Sequence, residues 1–232
     1  MKILVWDLPT RAFHWLFALS FIAAYLTSED DWLTFHVTFG YTVLGLVAFR
    51  LLWGLAGTRY ARFASFAYGP ARALGYLRSL AARRPEHHLG HNPAGSWAIY
   101  LLLAFGAITA TLGFLTLNGP QSWKWMKNVH QVMGNVTLGL AGLHVAGVIA
   151  GSFAHKENLA RSMVDGYKDG APGEGIRTTV WVVGAVLLAL VAGFWTAAWR
   201  GDLPAVTEPA VKRVAEHAQR HAHDHEHEHG HD

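Results

Sequence analysis

The chain alternates between long apolar runs and short polar connections that hold most of its charge. Five runs approach the ~20 residues that cross a hydrocarbon core of ~30 Å. They cover about 12–28, 32–53, 96–117, 129–153 and 178–199. The first is at the short end, and Pro9 in a first helical turn would extend it toward the N-terminus. The apolar residues are clustered rather than spaced at a helical period, which points to a bilayer and not to amphipathic soluble helices. The pattern predicts an all-α membrane protein: a four-helix transmembrane bundle within 1–170, a linker and fifth transmembrane helix over 171–200, and a polar tail over 201–232.

Charge gives the spans a direction. The N-terminus carries Lys2 and Arg11, and the first connection is acidic, with Glu29, Asp30 and Asp31. The connection after the second span carries Arg50, Arg59, Arg62, Arg72, Arg78, Arg83 and Arg84. The third carries only Lys124 and Lys127, and the fourth Lys156, Arg161, Lys168 and Arg177. The positive-inside rule then puts the N-terminus in the cytoplasm and the C-terminus outside. Trp6, Trp15, Trp32, Trp53, Trp97, Trp123, Trp125, Trp181, Trp195 and Trp199 all fall near span ends, as an interfacial belt requires. No A-x-A-like cleavage site follows the first run, so it reads as an uncleaved helix.

Composition narrows the chemistry. Charged residues make up 15% of the chain, against roughly 25% in soluble domains. The basic residues flank spans, which argues for topology and against a nucleic-acid face. There is no cysteine, so disulfides, thiolate-held clusters and covalent haem attachment are excluded.

Histidines supply the candidate site. His14, His36, His130 and His144 lie within spans or at their edges, where ionisable residues are costly and mark function. His130 and His144 are fourteen residues apart, which on a helix is ~21 Å of rise and only ~40° of rotation. They face one side at two depths. With the orientation above, His14 and His144 lie near the inner face and His36 and His130 near the outer one, giving two imidazole pairs. Structural zinc wants four ligands at one point; two porphyrin irons fit two levels better. Gly40 and Gly134 each follow a histidine by four residues and leave room for a flat macrocycle; Gly45, Gly139, Gly142 and Gly147 offer the same. Arg50, Arg59 and Arg62 are candidate partners for haem propionates.

The stretches WDLPTRAFHW (6–15), HVTFGYTVLGLVAFRLLWG (36–54), LGHNPAGSW (89–97) and HKENLARSMVDGYK (155–168) resemble the bacterial cytochrome b561 and nickel–iron hydrogenase cytochrome b subunit family. The resemblance covers about 5–168. It implies a four-helix cytochrome with two haem b groups in the bacterial inner membrane, exchanging electrons with quinone and with a redox protein such as a cytochrome c or a dehydrogenase or hydrogenase subunit. It places the ligands at His14, His36, His130 and His144. His155 is also a family-like position, read as a surface or secondary residue, with replacement of His144 as the alternative. Superoxide oxidation coupled to quinone reduction, an activity attributed to some relatives, is a second reading, and a membrane anchor wired by its haems is a third.

Two features depart from the family: the fifth span and the tail. His221, His223, His225, His227, His229 and His231 recur at every second position with Asp and Glu between them. Such a tract suits a divalent metal and suggests metal handling, although spans three and five hold no charged residue or histidine for a transport path. The connection over about 55–95 reads as lying on the membrane surface. Within it, His87, His88 and His91 read as a solvated loop or a partner-contact surface.

Overall fold

The computed structural model describes residues 1–82, 84, 86–120, 125–204, 206, 208 and 212. Four long helices are apolar enough to cross a membrane: α2 (Leu33–Ala56), α4 (Pro93–Asn118), α5 (Trp125–His155) and α7 (Trp181–Arg200). Helix α1 (Leu8–Leu26) lies beside α2 and α7, and Thr10, Arg11, His14 and Ser20 interrupt its apolar run. Its 19 residues span ~28 Å, close to a hydrocarbon core. Shorter elements close one end: β1 (Lys2–Leu4), α3 (Pro70–Ala81), α6 (Leu159–Asp165) and β2 (Tyr167–Asp169). The fold is the all-α membrane bundle that the apolar runs predict.

Helix starts follow local chemistry. Asp7 caps α1 by accepting from Thr10 N at 2.7 Å, and Pro9 sits in the first turn, where a missing N–H costs nothing. The helix therefore begins four residues before the apolar run does. Asn92 caps α4 in the same way, accepting from Gly95 N at 2.7 Å with Pro93 behind it. Asn158 caps α6, which Gly166 ends in the left-handed conformation at φ 89°. A side chain at Gly166 would meet the carbonyl oxygen of Trp6 at 2.8 Å, so glycine is required there twice over.

Two cores hold the chain together, for different reasons. Ala12, Phe13, Leu46, Val47, Leu103 and Leu187 meet where α1, α2, α4 and α7 converge. Lipid is as apolar as these residues, so this core holds by close packing rather than by expulsion of water. Ile3, Val5, Trp6 and Tyr60 form the second, with Leu89, Met163 and Ile176 against them. It lies under the antiparallel β1–β2 pair, where Ile3 faces Lys168. There the hydrophobic effect applies, at roughly 25 cal/mol per Å² buried.

This cap corrects three expectations. Trp6 is 4% exposed and donates to Ser162 Oγ at 3.3 Å, so it is a core residue and not part of an interfacial belt. Trp195 is turned inward and donates to Thr42 Oγ1 at 2.8 Å, tying α7 to α2. Arg50, counted above with the loop charges, lies inside α2 and is 2% exposed. Helix α3 buries Ala73 and Tyr76 and leaves Leu74 and Leu77 exposed, an arrangement compatible with a membrane surface. Trp123, Lys124, Arg83 and the tail histidines His221, His223, His225, His227, His229 and His231 lie outside the described residues.

Candidate functional site

Helix α5 packs along α4 but stands off α1 and α2 for most of its length. Near one end Tyr25 Oη donates to Asn135 Oδ1 at 2.8 Å and bridges α1 to α5. Across the remaining gap the four histidines meet in two pairs. The ring centroids of His14 and His144 are 6.5 Å apart, and those of His36 and His130 are 5.8 Å apart. A metal held by two imidazoles places each nitrogen at ~2 Å and each ring centre ~1 Å beyond it, so opposed rings sit ~6 Å apart. Both pairs have that spacing. A hydrogen bond between the imidazoles would bring the ring centres to ~5 Å.

Backbone carbonyls aim two of the rings. His36 Nδ1 donates to Ala24 O at 2.7 Å, and His130 Nδ1 donates to Thr109 O at 2.9 Å. A carbonyl only accepts, so the proton is on Nδ1 and the Nε2 lone pair is free for a metal. Such bonds orient ligands and raise their basicity. The Ala24 carbonyl is available because it belongs to the last turn of α1, which has no intrahelical partner ahead of it. The Thr109 carbonyl is reached because Gly113, one turn on, has no side chain. A Cβ there would lie 2.9 Å from His130 Cε1. His14 differs: its Nδ1 is buried without a partner, and its ring packs edge-on to Trp15 at 5.1 Å.

Gly40 and Gly134, one turn beyond His36 and His130 on the same helix faces, leave space beside the rings, whereas Gly45, Gly139 and Gly142 lie roughly 120–180° around their helices from the histidines and open elsewhere. A Cβ at Gly40, Gly45, Gly139, Gly142 or Gly147 would meet nothing within 4 Å, and one at Gly134 only Thr109 Cγ2 at 3.9 Å. The donor set, the spacing and this room fit two flat macrocycles, one per pair. Neutral imidazoles without any carboxylate or thiolate suit haem iron.

A family model for prokaryotic cytochrome b561 matches residues 5–166. The chain belongs to that family. No curated protein and no solved structure matches it. As a cytochrome b561 the chain is a membrane b-type cytochrome of electron transfer, a family that binds haem b. The match ends before α7, which lies outside the matched region.

The remaining candidates separate clearly. His155 is turned away from His14: its Nε2 meets Tyr76 Oη at 3.0 Å and its ring lies 5.9 Å from His87. Arg59 and Arg62 are exposed, and Arg59 stacks on Tyr60. Arg50 is enclosed, with its guanidinium 4.6 Å from the Phe63 ring centre and Nη1 unpartnered. The loop histidines divide: His87 is exposed, as a solvated loop or contact surface requires, whereas His91 is not. His91 is wedged between Trp6 at 4.6 Å and Phe66 at 4.4 Å, and its Nδ1 is buried without a partner. Among the described residues no group of three or more His, Asp or Glu is placed to hold a metal ion. Sequence reasoning missed Ala24, Thr109 and Gly113. The first two act through carbonyls that any residue carries, and Gly113 gave a signal only as a glycine inside an apolar span.

Proposed function

We propose that this cytochrome b561 holds two haem b groups, one between His14 and His144 and one between His36 and His130, and passes electrons between a redox protein and membrane quinone. The observation that carries the reading is the pair of ring separations, 6.5 and 5.8 Å. Bound haem iron would supply a one-electron carrier cycling between ferric and ferrous states. The chain's own residues do the rest. Two imidazoles would hold each iron, His14 with His144 and His36 with His130, a ligand set that would suit electron transfer. Ala24 O and Thr109 O hold His36 and His130 in register, and Gly40 and Gly134 leave the faces of the slots clear. Of the three candidate arginines, Arg50 is the one enclosed near the pairs and suited to a propionate. The haem-binding unit is 1–170, followed by a linker and fifth span and then the tail, in a bacterial inner membrane with the N-terminus cytoplasmic.

The test is a pyridine haemochrome count and a reduced-minus-oxidised spectrum of the purified full chain. Two haems b per chain are expected, falling to one in His130→Ala and to one in His144→Ala. A colourless protein overturns the haem reading, and unchanged haem content in both variants overturns the ligand assignment.

A further inference from the structure

Two polar groups at the capped end of the bundle lack partners. Arg50 is 2% exposed, yet its Nη1 makes no hydrogen bond, and among the described residues no carboxylate lies within ion-pair distance. Asp7, fully buried, uses its oxygens on Thr10 N, Trp53 Nε1 and Thr58 Oγ1. A buried cation with an idle N–H is expensive unless an anion meets it. The second group is His91, whose Nδ1 is equally shut off and idle. Both side chains touch Phe66: the His91 ring centre at 4.4 Å and the Arg50 guanidinium at 5.9 Å. Arg50 lies fourteen residues beyond His36 on α2, ~21 Å of rise from the His36–His130 pair, and the His91 ring packs on Trp6, just ahead of the start of α1 that carries His14, so the two idle donors sit toward the His14–His144 level. His14 Nδ1, also idle, belongs to that level. Among the described residues, the carboxylates of this environment meet neither donor: Asp7 attracts the Arg50 guanidinium without forming an ion pair with it, and Glu157 is held by Lys168. Lys168 acts on His91 and is itself cationic, paired with Glu157 at 3.5 Å. The second core puts Trp6 and Tyr60 there.

We propose that His91 and Arg50 together form an oxyanion receptor, and that its occupant is a propionate of the haem held by His14 and His144. The assignment rests on the di-haem reading above. His91 acts as a positioning residue: it donates Nδ1–H to the carboxylate, with Trp6 and Phe66 holding its ring, while Arg50 supplies the charge. This explains why the LGHNPAG stretch folds back on Trp6 instead of facing water. It also gives the cleft of about 640 Å³ beside it, lined by Arg59, Tyr68, His88 and His91, a closed floor over the haem edge.

The experiment is a spectroelectrochemical titration of the full-length protein, with the haem of each level assigned beforehand by the spectra of His144→Ala and His130→Ala. His91→Phe keeps the aromatic stack and removes the donor. It should retain two haems and lower the reduction equilibrium of the His14-level haem by about tenfold, or about 59 mV for one electron. His91→Gln, which restores an N–H, should recover most of that shift, and Arg50→Met should exceed it. If His91→Phe loses the haem, recovery of haem by His91→Gln supports the receptor, and loss in both overturns it. Reconstitution with haem dimethyl ester should abolish the difference between wild type and His91→Phe. Persistence of the difference with the ester would assign the oxyanion to lipid phosphate and overturn the proposal. So would an unmoved potential in both His91→Phe and Arg50→Met, or a shift confined to the His36-level haem. A wild-type protein with no haem fails the di-haem reading itself.

Discussion

Gly113 offers the sharpest test of how this bundle holds its outermost ring. Adding one methyl there puts a carbon 2.9 Å from His130 Cε1, 3.3 Å from Nδ1 and 3.6 Å from Nε2. Carbon–carbon contact is comfortable near ~3.5 Å, so the ring must retreat by roughly 0.6 Å. It cannot do so along its present axis without stretching the 2.9 Å bond to Thr109 O. Overpacking of this kind costs ~1–3 kcal/mol, and ligand constellations tolerate shifts of only ~0.5 Å. The strain falls on the ligand itself, so it should appear as ~5- to 150-fold weaker haem binding at the His36–His130 level. Gly113→Ala should therefore lose haem from that level first, during dilution or competition with apomyoglobin, while the His14–His144 haem stays. Gly193→Ala, whose Cβ meets nothing within 4 Å, serves as the control. Equal retention of both haems in Gly113→Ala, with an unchanged spectrum, refutes the claim that Gly113 makes room for a ligand.

Two further outcomes follow from the same geometry. The haems should differ in potential, with the His36-level haem the lower: carbonyl bonds make His36 and His130 stronger donors to ferric iron, whereas His14 lacks such a bond and Arg50 places positive charge at its level. A redox titration with variant-assigned spectra checks the order, and equal or reversed potentials refute it. Lys168 is 4% exposed, with Glu157 at 3.5 Å and the His88 carbonyl at 3.0 Å, and burial pushes its amine below the ordinary lysine value. Lys168→Met leaves the Glu157 carboxylate enclosed and unpaired, and should cost ~3–5 kcal/mol in thermal unfolding in detergent. Between its folded value and ~10.4 the unfolded chain binds more protons at Lys168 than the folded one, so this residue makes stability rise with pH across that window. The rise should be absent from Lys168→Met; an identical pH profile in the variant sinks the assignment.

The bundle was legible because its driving rule is one-dimensional. A run of ~20 apolar residues must span or be buried wherever it lies in the chain, and α2, α4, α5 and α7 each fall within a few residues of a run. Boundaries moved where capping chemistry overrode hydropathy: Asp7 and Pro9 start α1 early, and Asn92 does the same for α4. The histidine pairing was legible for a similar reason. Helical rise and loop charge together fix depth, and depth alone decides which of four imidazoles can meet.

What escaped the sequence was everything set by a neighbour across the fold. His91 sits in a polar, glycine-containing stretch that by composition belongs in water. Only the pairing of β1 with β2 brings Trp6 beneath it, and Phe66 closes the other side. The stretch that carries Trp6, WDLPTR, also gives Asp7 to the cap of α1 and Arg11 to the Val164 carbonyl. Its residues thus fix the angle at which α1 leaves the cap, and with it the direction of His14, about two turns of helix beyond Asp7. The His14 Nδ1 has no carbonyl to aim it. Its orientation must come from that angle and from Trp15, which donates to Met163 O at 3.0 Å and pins the adjacent turn to α6. The two levels thus hold their rings by different means: His36 and His130 by hydrogen bonds to helix carbonyls, and His14 by the docking of a capped helix onto the end of the bundle.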